Sequence, residues 1–155
     1  MKKKAIIISI KNIKLSKKEK LLLSKEKPWG LILFKRNIKS YNQLKVLISE
    51  IRKHTKDKKF PIMIDEEGFS VSRLRNIINH NIDANYFGNL YKLNKKTAIS
   101  LYENYLDSLS ENLQKIGINV NTIPVLDVLR KNTNKVIGKR SFSDNKIIVK
   151  KLGER

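Results

Sequence analysis

Leu31-Ile32-Leu33-Phe34-Lys35-Arg36-Asn37-Ile38-Lys39-Ser40-Tyr41-Asn42-Gln43-Leu44 holds the pattern on which the fold turns. Four apolar residues in unbroken succession are too few for a helix. They fit a strand buried on both faces, as strands of parallel sheets are. Ser40 and Gln43 have the spacing of a capping box, and Leu44, Leu47, Ile48 and Ile51 follow at the i, i+3, i+4, i+7 spacing of one helical face. A strand running straight into an amphipathic helix is one βα unit.

The unit recurs on both sides. Upstream, Ala5-Ile6-Ile7-Ile8-Ser9-Ile10 is a β-branched run long enough for a buried strand, and the Ser16/Glu19 capping box opens a helix that Pro28-Trp29-Gly30 breaks. Downstream, Phe60-Pro61-Ile62-Met63-Ile64-Asp65 is a third strand, with Pro61 acceptable near its start, and an irregular stretch runs from Glu66 to about Leu93. From Asn94 a long helix is expected with Ala98, Leu101, Tyr105, Leu109, Leu113 and Ile116 on its inner face, closed by Gly117 as a left-handed cap. Residues 118–127 read as a fourth strand, its ladder limited by Pro124, and residues 144–152 begin another helix. Four strand-then-helix units predict parallel strands with crossover helices, an α/β architecture. It is either a doubly wound sheet or half of a (β/α)8 barrel. No Gly-x-Gly-x-x-Gly or Gly-Lys-Ser/Thr follows any strand, which removes support for the common nucleotide-binding open sheets.

At 155 residues the chain has the length of one domain, and 40% hydrophobic content spread along it can build a core. A full barrel takes about 250 residues, so a barrel reading makes this the first half. With no cysteine there is no disulfide framework, thiolate nucleophile or Cys-based metal site, which fits a reducing compartment. The net charge of +20 favours nucleic acid or anionic membranes as partners, but the excess is lysine scattered over every segment alongside abundant Asn and Ile. That pattern is also what an AT-rich genome produces. The apolar run after Met1-Lys2-Lys3-Lys4 is cut by Lys11, is shorter than a signal core and has no small-residue cleavage site, and no run approaches a membrane span. The expectation is a cytoplasmic protein with no membrane partner.

In either architecture the strand C-terminal ends carry the site, which selects Asp65, Glu66, Glu67, Arg73, Asp127 and Arg140. Asp65 can accept hydroxyl hydrogen bonds from a polyol, and Arg73 and Arg140 can donate to sugar oxygens or carboxylates. The plainer reading has Asp65 cap its loop and the arginines pair with Glu66 or Glu67. Asp65-Glu66-Glu67 could also offer oxygens to a hard cation, though at most two of three consecutive side chains could share one ion. His54 and His80 lack triad or metal-pair spacing and read as surface residues.

Gly30-Leu31-Ile32-Leu33-Phe34 with Arg36-Asn37, then Ile64-Asp65-Glu66-Glu67-Gly68 with Val71 and Arg73-Leu74, form the first half of a colinear set. Gly117-Ile118-Asn119 leading to Pro124-Val125-Leu126-Asp127-Val128, and Val136-Ile137-Gly138-Lys139-Arg140-Ser141-Phe142, complete it. Together they resemble the N-terminal half of glycoside hydrolase family 3, in its bacterial β-N-acetylhexosaminidase branch. The resemblance implies the first half of a (β/α)8 TIM-type barrel and a retaining hydrolase that removes N-acetylglucosamine from muropeptides in cell-wall recycling. On it, Asp65, Arg73 and Arg140 bind sugar hydroxyls, Asp127 orients its loop, and no metal or cofactor is needed. Phe69 and Ser70 stand where family members show a second glycine and often a basic residue. The family's Lys-His-x-Pro-Gly segment, catalytic histidine and aspartate nucleophile have no counterpart up to Arg155, so residues 1–155 are expected to be a truncated domain with no catalytic residue. Such a chain is expected to be inactive alone, and to be marginally stable, to aggregate or to pair with a complementary C-terminal half. Two other functions stay open at this point: a non-catalytic muropeptide-binding module and a basic nucleic-acid-binding protein.

Overall fold

The computed structural model describes residues 3–155; Met1 and Lys2 of the basic N-terminal stretch lie outside the described residues. The chain divides into two compact units. One comprises residues 1–65, 73–79 and 112–121, the other residues 66–72, 80–111 and 122–155.

The first unit holds a four-stranded parallel sheet in the order β1 (Lys4–Ser9), β2 (Pro28–Leu33), β3 (Ile62–Ile64), β4 (Val120–Asn121). Helices α1 (Lys17–Glu26) and α2 (Tyr41–Thr55) connect the first three strands. The strand order runs in sequence, as in the first half of a (β/α)8-type barrel and unlike a doubly wound sheet, whose order reverses; of the two architectures that the pattern of units leaves open, this is the barrel one. Ser16 accepts from the Glu19 N–H while the Glu19 carboxylate takes the Ser16 N–H, completing the expected box at α1. At α2 the box is only half made. Ser40 accepts from Gln43 N–H, but the Gln43 amide oxygen turns to Lys39 N–H, and its amide N–H groups donate to the carbonyls of Ile13 and Asn37. The α2 stripe of Leu44, Leu47, Ile48 and Ile51 is buried, against an aliphatic core that includes Leu31, Leu33, Ile62 and Ile64.

Three strand expectations change. β1 is not buried: Ile6 is 52% exposed and Ile7 40%, because within this unit β1 pairs only with β2. β2 takes in Pro28-Trp29-Gly30, since α1 already stops at Lys27, whose left-handed backbone (φ 48°) turns the chain into the strand. The fourth strand shrinks to Val120–Asn121, with Pro124, which has no N–H to donate, three residues on.

Asn119 supports the β3 edge with its side chain. Its amide oxygen accepts Ile62 N–H at 2.7 Å, and its amide nitrogen donates to the carbonyls of Lys59 and Phe60. Gly117, at φ 105°, closes the preceding helix as expected, with both its own N–H and that of Ile118 returning to the Leu113 carbonyl.

The second unit contains no strand among its described residues. It is built from α3 (Ala84–Leu93), most of α4 (Lys95–Ile116), α5 (Lys146–Gly153) and the loops between them. Its core is aromatic: Phe87, Tyr102 and Phe142 pack with Ile148, Val149 and Leu152. Phe87 and Tyr102 centroids are 4.8 Å apart, and Tyr102 meets Phe142 edge-on at 5.3 Å. α3 lies inside the stretch expected to be irregular. On α4 the inner face runs through Tyr102, whereas Leu101 is 42% exposed.

Candidate functional site

In the first unit, Asp65 directly follows β3, and Arg73 Nη2 donates to its Oδ2 at 3.2 Å with both side chains half-buried. The carboxylate is held at the strand's C-terminal end by an arginine eight residues on. The plain expectation pairs the arginines with Glu66 or Glu67; Arg73 pairs with Asp65, and Arg140 does take Glu67. Arg36 and Asn37 prove to be scaffold. Fully buried Asn37 donates from Nδ2 to the carbonyls of Ile10 and Asn12 and accepts Phe34 N–H, while Arg36 donates to Ile10 O and Ser9 Oγ and lies over the Phe34 ring at 4.6 Å. Together they tie the segment after β1 to the turn after β2.

In the second unit the loop 66–72 is stitched to segment 80–83. Glu67 and Gly68 N–H both point at the Val71 carbonyl, closing a tight turn, and Phe69 N–H donates to Ile82 O at 3.0 Å. Ser70 contributes its N–H and its hydroxyl to the two oxygens of Asp83, each at 2.7 Å. Asp83 occupies the N-cap of α3 yet makes no capping bond, because Ser70 has taken its carboxylate. The departure from a double glycine is therefore accommodated. Only Gly68 needs the freedom, with φ 151° and a hypothetical Cβ 2.5 Å from the Ile82 carbonyl oxygen. Phe69 points outward, and the Ser70 hydroxyl adds to its backbone N–H a second bond to Asp83.

Arg140, in the short 3-10 turn Gly138–Arg140, forks onto Glu67: Nε to Oε2 at 2.7 Å and Nη2 to Oε1 at 2.9 Å. This bidentate geometry is the strong form of the arginine–carboxylate contact. Glu67 and Arg140 also line a small cavity with Asp83, Phe87, Tyr102 and Tyr105. Asp127 is exposed, and its backbone carbonyl accepts the Ser141 hydroxyl at 2.5 Å. Ser141 Oγ in turn accepts Ser143 N–H, so the loop that presents Arg140 is fixed by a buried serine.

His80 is a correction. Expected at the surface, its side chain is only 9% exposed, with Nε2 2.6 Å from Oε1 of Glu66, which is fully buried. Its Nδ1 lies 3.1 Å from the Tyr105 hydroxyl. Burial and the nearby Glu66 carboxylate push the Tyr105 hydroxyl well above the usual tyrosine range, so it stays protonated. Neither Glu66 nor Tyr105 carries a spacing signal that pairs it with His80. The three consecutive acids Asp65, Glu66 and Glu67 thus turn to Arg73, His80 and Arg140 respectively, and no group of three potential metal ligands occurs among the described residues.

Parallel strands with helical crossovers and arginine-held carboxylates in the segments after the third strand define an α/β protein of the barrel type. The chain belongs to the family of the glycosyl hydrolase family 3 N terminal domain, whose model matches residues 2–155. It is 30% identical over 149 residues to a beta-hexosaminidase of Hydrogenovibrio crunogenus, covering 96% of this chain and 41% of that protein. A beta-hexosaminidase of Xanthomonas campestris pv. campestris is 28% identical over 144 residues, with 93% and 43% covered. Among solved structures, native NagZ from Neisseria gonorrhoeae superimposes with a TM-score of 0.90 at 28% identity, covering 98% of this chain and 44% of that one. A family 3 beta-N-acetylglucosaminidase from Paenibacillus sp. gives 0.78 at 25% identity, covering 95% and 27%. The chain spans less than half the length of these relatives. No described helix is long and apolar enough to cross a membrane.

Proposed function

We propose that this chain is the sugar-binding N-terminal half of a retaining β-N-acetylhexosaminidase acting on N-acetylglucosamine-containing cell-wall fragments in the cytoplasm. The observation that carries the reading is Asp65, set directly after β3 and held half-buried by Arg73, where a barrel enzyme presents substrate contacts. Asp65 accepts sugar hydroxyls, and Arg73 and Arg140 donate to sugar oxygens. The names of the relatives support the substrate class. Retaining cleavage needs a nucleophile and an acid/base on either side of the glycosidic bond, and residues 1–155 supply binding without either. A complementary C-terminal half brings both.

The test has two arms. Residues 1–155 alone leave a chromogenic N-acetylglucosaminide uncleaved, and joining them to the C-terminal half of a relative restores hydrolysis. Asp65→Ala in the joined protein lowers kcat/KM by about 100-fold or more, since a substrate hydroxyl contact at a strand end is made more strongly in the transition state. Turnover by residues 1–155 alone, or an unimpaired Asp65→Ala variant, rejects the reading.

A further inference from the structure

Glu66 has no part in the proposed chemistry, yet it is a carboxylate with no solvent exposure. Such a group is costly to bury unless something donates to it. His80 does so at 2.6 Å, and His80 is itself braced by Tyr105 on α4. If the ring is neutral with Nε2 protonated, Nδ1 accepts the Tyr105 O–H; if it is the imidazolium, both nitrogens donate. With Glu66 ionised, both forms point the same N–H at the carboxylate. Tyr105 rests in turn against the Phe87 ring, with centroids 5.3 Å apart, so the line Glu66–His80–Tyr105 ends on the core of its unit.

We infer that His80 is a positioning residue: acting through Glu66, it anchors the start of loop 66–72 so that the next residue, Glu67, is set to receive the Arg140 fork. The chemistry of neighbouring residues favours this. Glu66 and Glu67 are consecutive, so fixing the Glu66 side chain on His80 restricts the backbone from which the Glu67 carboxylate reaches Arg140. The downstream half of the loop is tied from Phe69 to Ile82 and from Ser70 to Asp83, and His80 supplies a tie to the upstream half. Removing the imidazole takes a hydrogen-bond donor from a buried carboxylate, which favours turning Glu66 toward water and carrying Glu67 with it. This inference rests on the proposed sugar-binding role of Arg140.

The first measurement needs no sugar. In proton NMR spectra of the full-length protein, the Nε2–H of His80 should give a far-downfield resonance that exchanges slowly with water and disappears in Glu66→Gln. The second compares N-acetylglucosamine affinity by calorimetry in the wild type, His80→Leu, His80→Gln and Leu152→Ala. Gln can place an amide N–H near the Nε2 position, so it should rescue. We expect about a tenfold or greater loss of affinity in His80→Leu, a loss of less than about threefold in His80→Gln, and none in folded Leu152→Ala, which weakens the same core without touching the loop. A rapidly exchanging imidazole proton overturns the inference even if His80→Leu does not fold. Wild-type affinity in His80→Leu, or an equal loss in Leu152→Ala, overturns it while leaving the sugar-binding reading intact. Failure of the wild type to bind N-acetylglucosamine removes that reading, and this inference with it.

Discussion

The two units solve the same problem with different materials. The first buries an aliphatic core under a parallel sheet, and its polar side chains finish backbone hydrogen bonding at strand ends, as Asn37 and Asn119 do. The second has no sheet among its described residues; it packs rings edge to face and pins its loops by side-chain bonds such as Ser70 to Asp83 and His80 to Glu66. A sheet saturates the backbone by repetition, whereas loops must satisfy each group individually. The second unit should therefore be the less forgiving of single changes.

Gly88→Ala gives the sharpest probe of that difference. A Cβ at Gly88 would lie 1.7 Å from the Phe142 carbonyl oxygen, a backbone atom that cannot rotate away, so α3 must move off its neighbour. We expect a loss of about 3 kcal/mol or more in urea unfolding; a loss below about 1 kcal/mol would show the second unit to be plastic. Next comes Asn37→Ala in the first unit. It leaves Phe34 N–H and the Asn12 carbonyl without their side-chain partner and the Ile10 carbonyl with Arg36 alone, at a cost of about 2 kcal/mol by the same measurement. Should that substitution cost more than Gly88→Ala, the proposed contrast between the units is reversed. Ser16→Ala removes a single cap from α1 and should cost about 1 kcal/mol, read as a small shift in the urea midpoint.

The pH dependence gives the smallest effects, least of all near neutrality. Burial raises the Tyr102 hydroxyl in the second unit from 10 to about 12. A raised folded-state value means the folded protein binds more protons between those limits, so this stabilisation is complete below about pH 10 and is lost as pH climbs through about 12. In the first unit, Glu50 is held below its usual range by the Lys20 hydrogen bond and Asp57 by that of Lys3. Their contribution is present above the ordinary carboxylate values and fades as pH falls through the lowered ones. Thermal melts between about pH 10 and 12 should show a falling Tm and a gain of tyrosinate absorbance on unfolding, and Tyr102→Phe should flatten that limb while leaving the acid limb unchanged.

How much could be read in advance follows the same division. Leu31 to Leu33, the α2 stripe and the Ser16 box are periodic or short-range signals, and all stand as expected. α3 was illegible because Asn85, Tyr86, Phe87 and Gly88 are poor helix formers, placed there by packing against Phe142 rather than by propensity. Leu101 and Tyr102 are adjacent apolar residues, and only the aromatic cluster selects Tyr102 for the core.

The sequence by itself determined the parallel α/β plan, the family, and which charged residues stand after the third strand, because strand runs, helix caps and motif spacing are local properties of the chain. Tertiary structure alone decided that Asp65, Glu66 and Glu67 turn to Arg73, His80 and Arg140. Their partners lie 8, 14 and 73 residues away along the chain. No periodicity reports such pairings, since they exist only once the loops have been folded and their charges taken out of water.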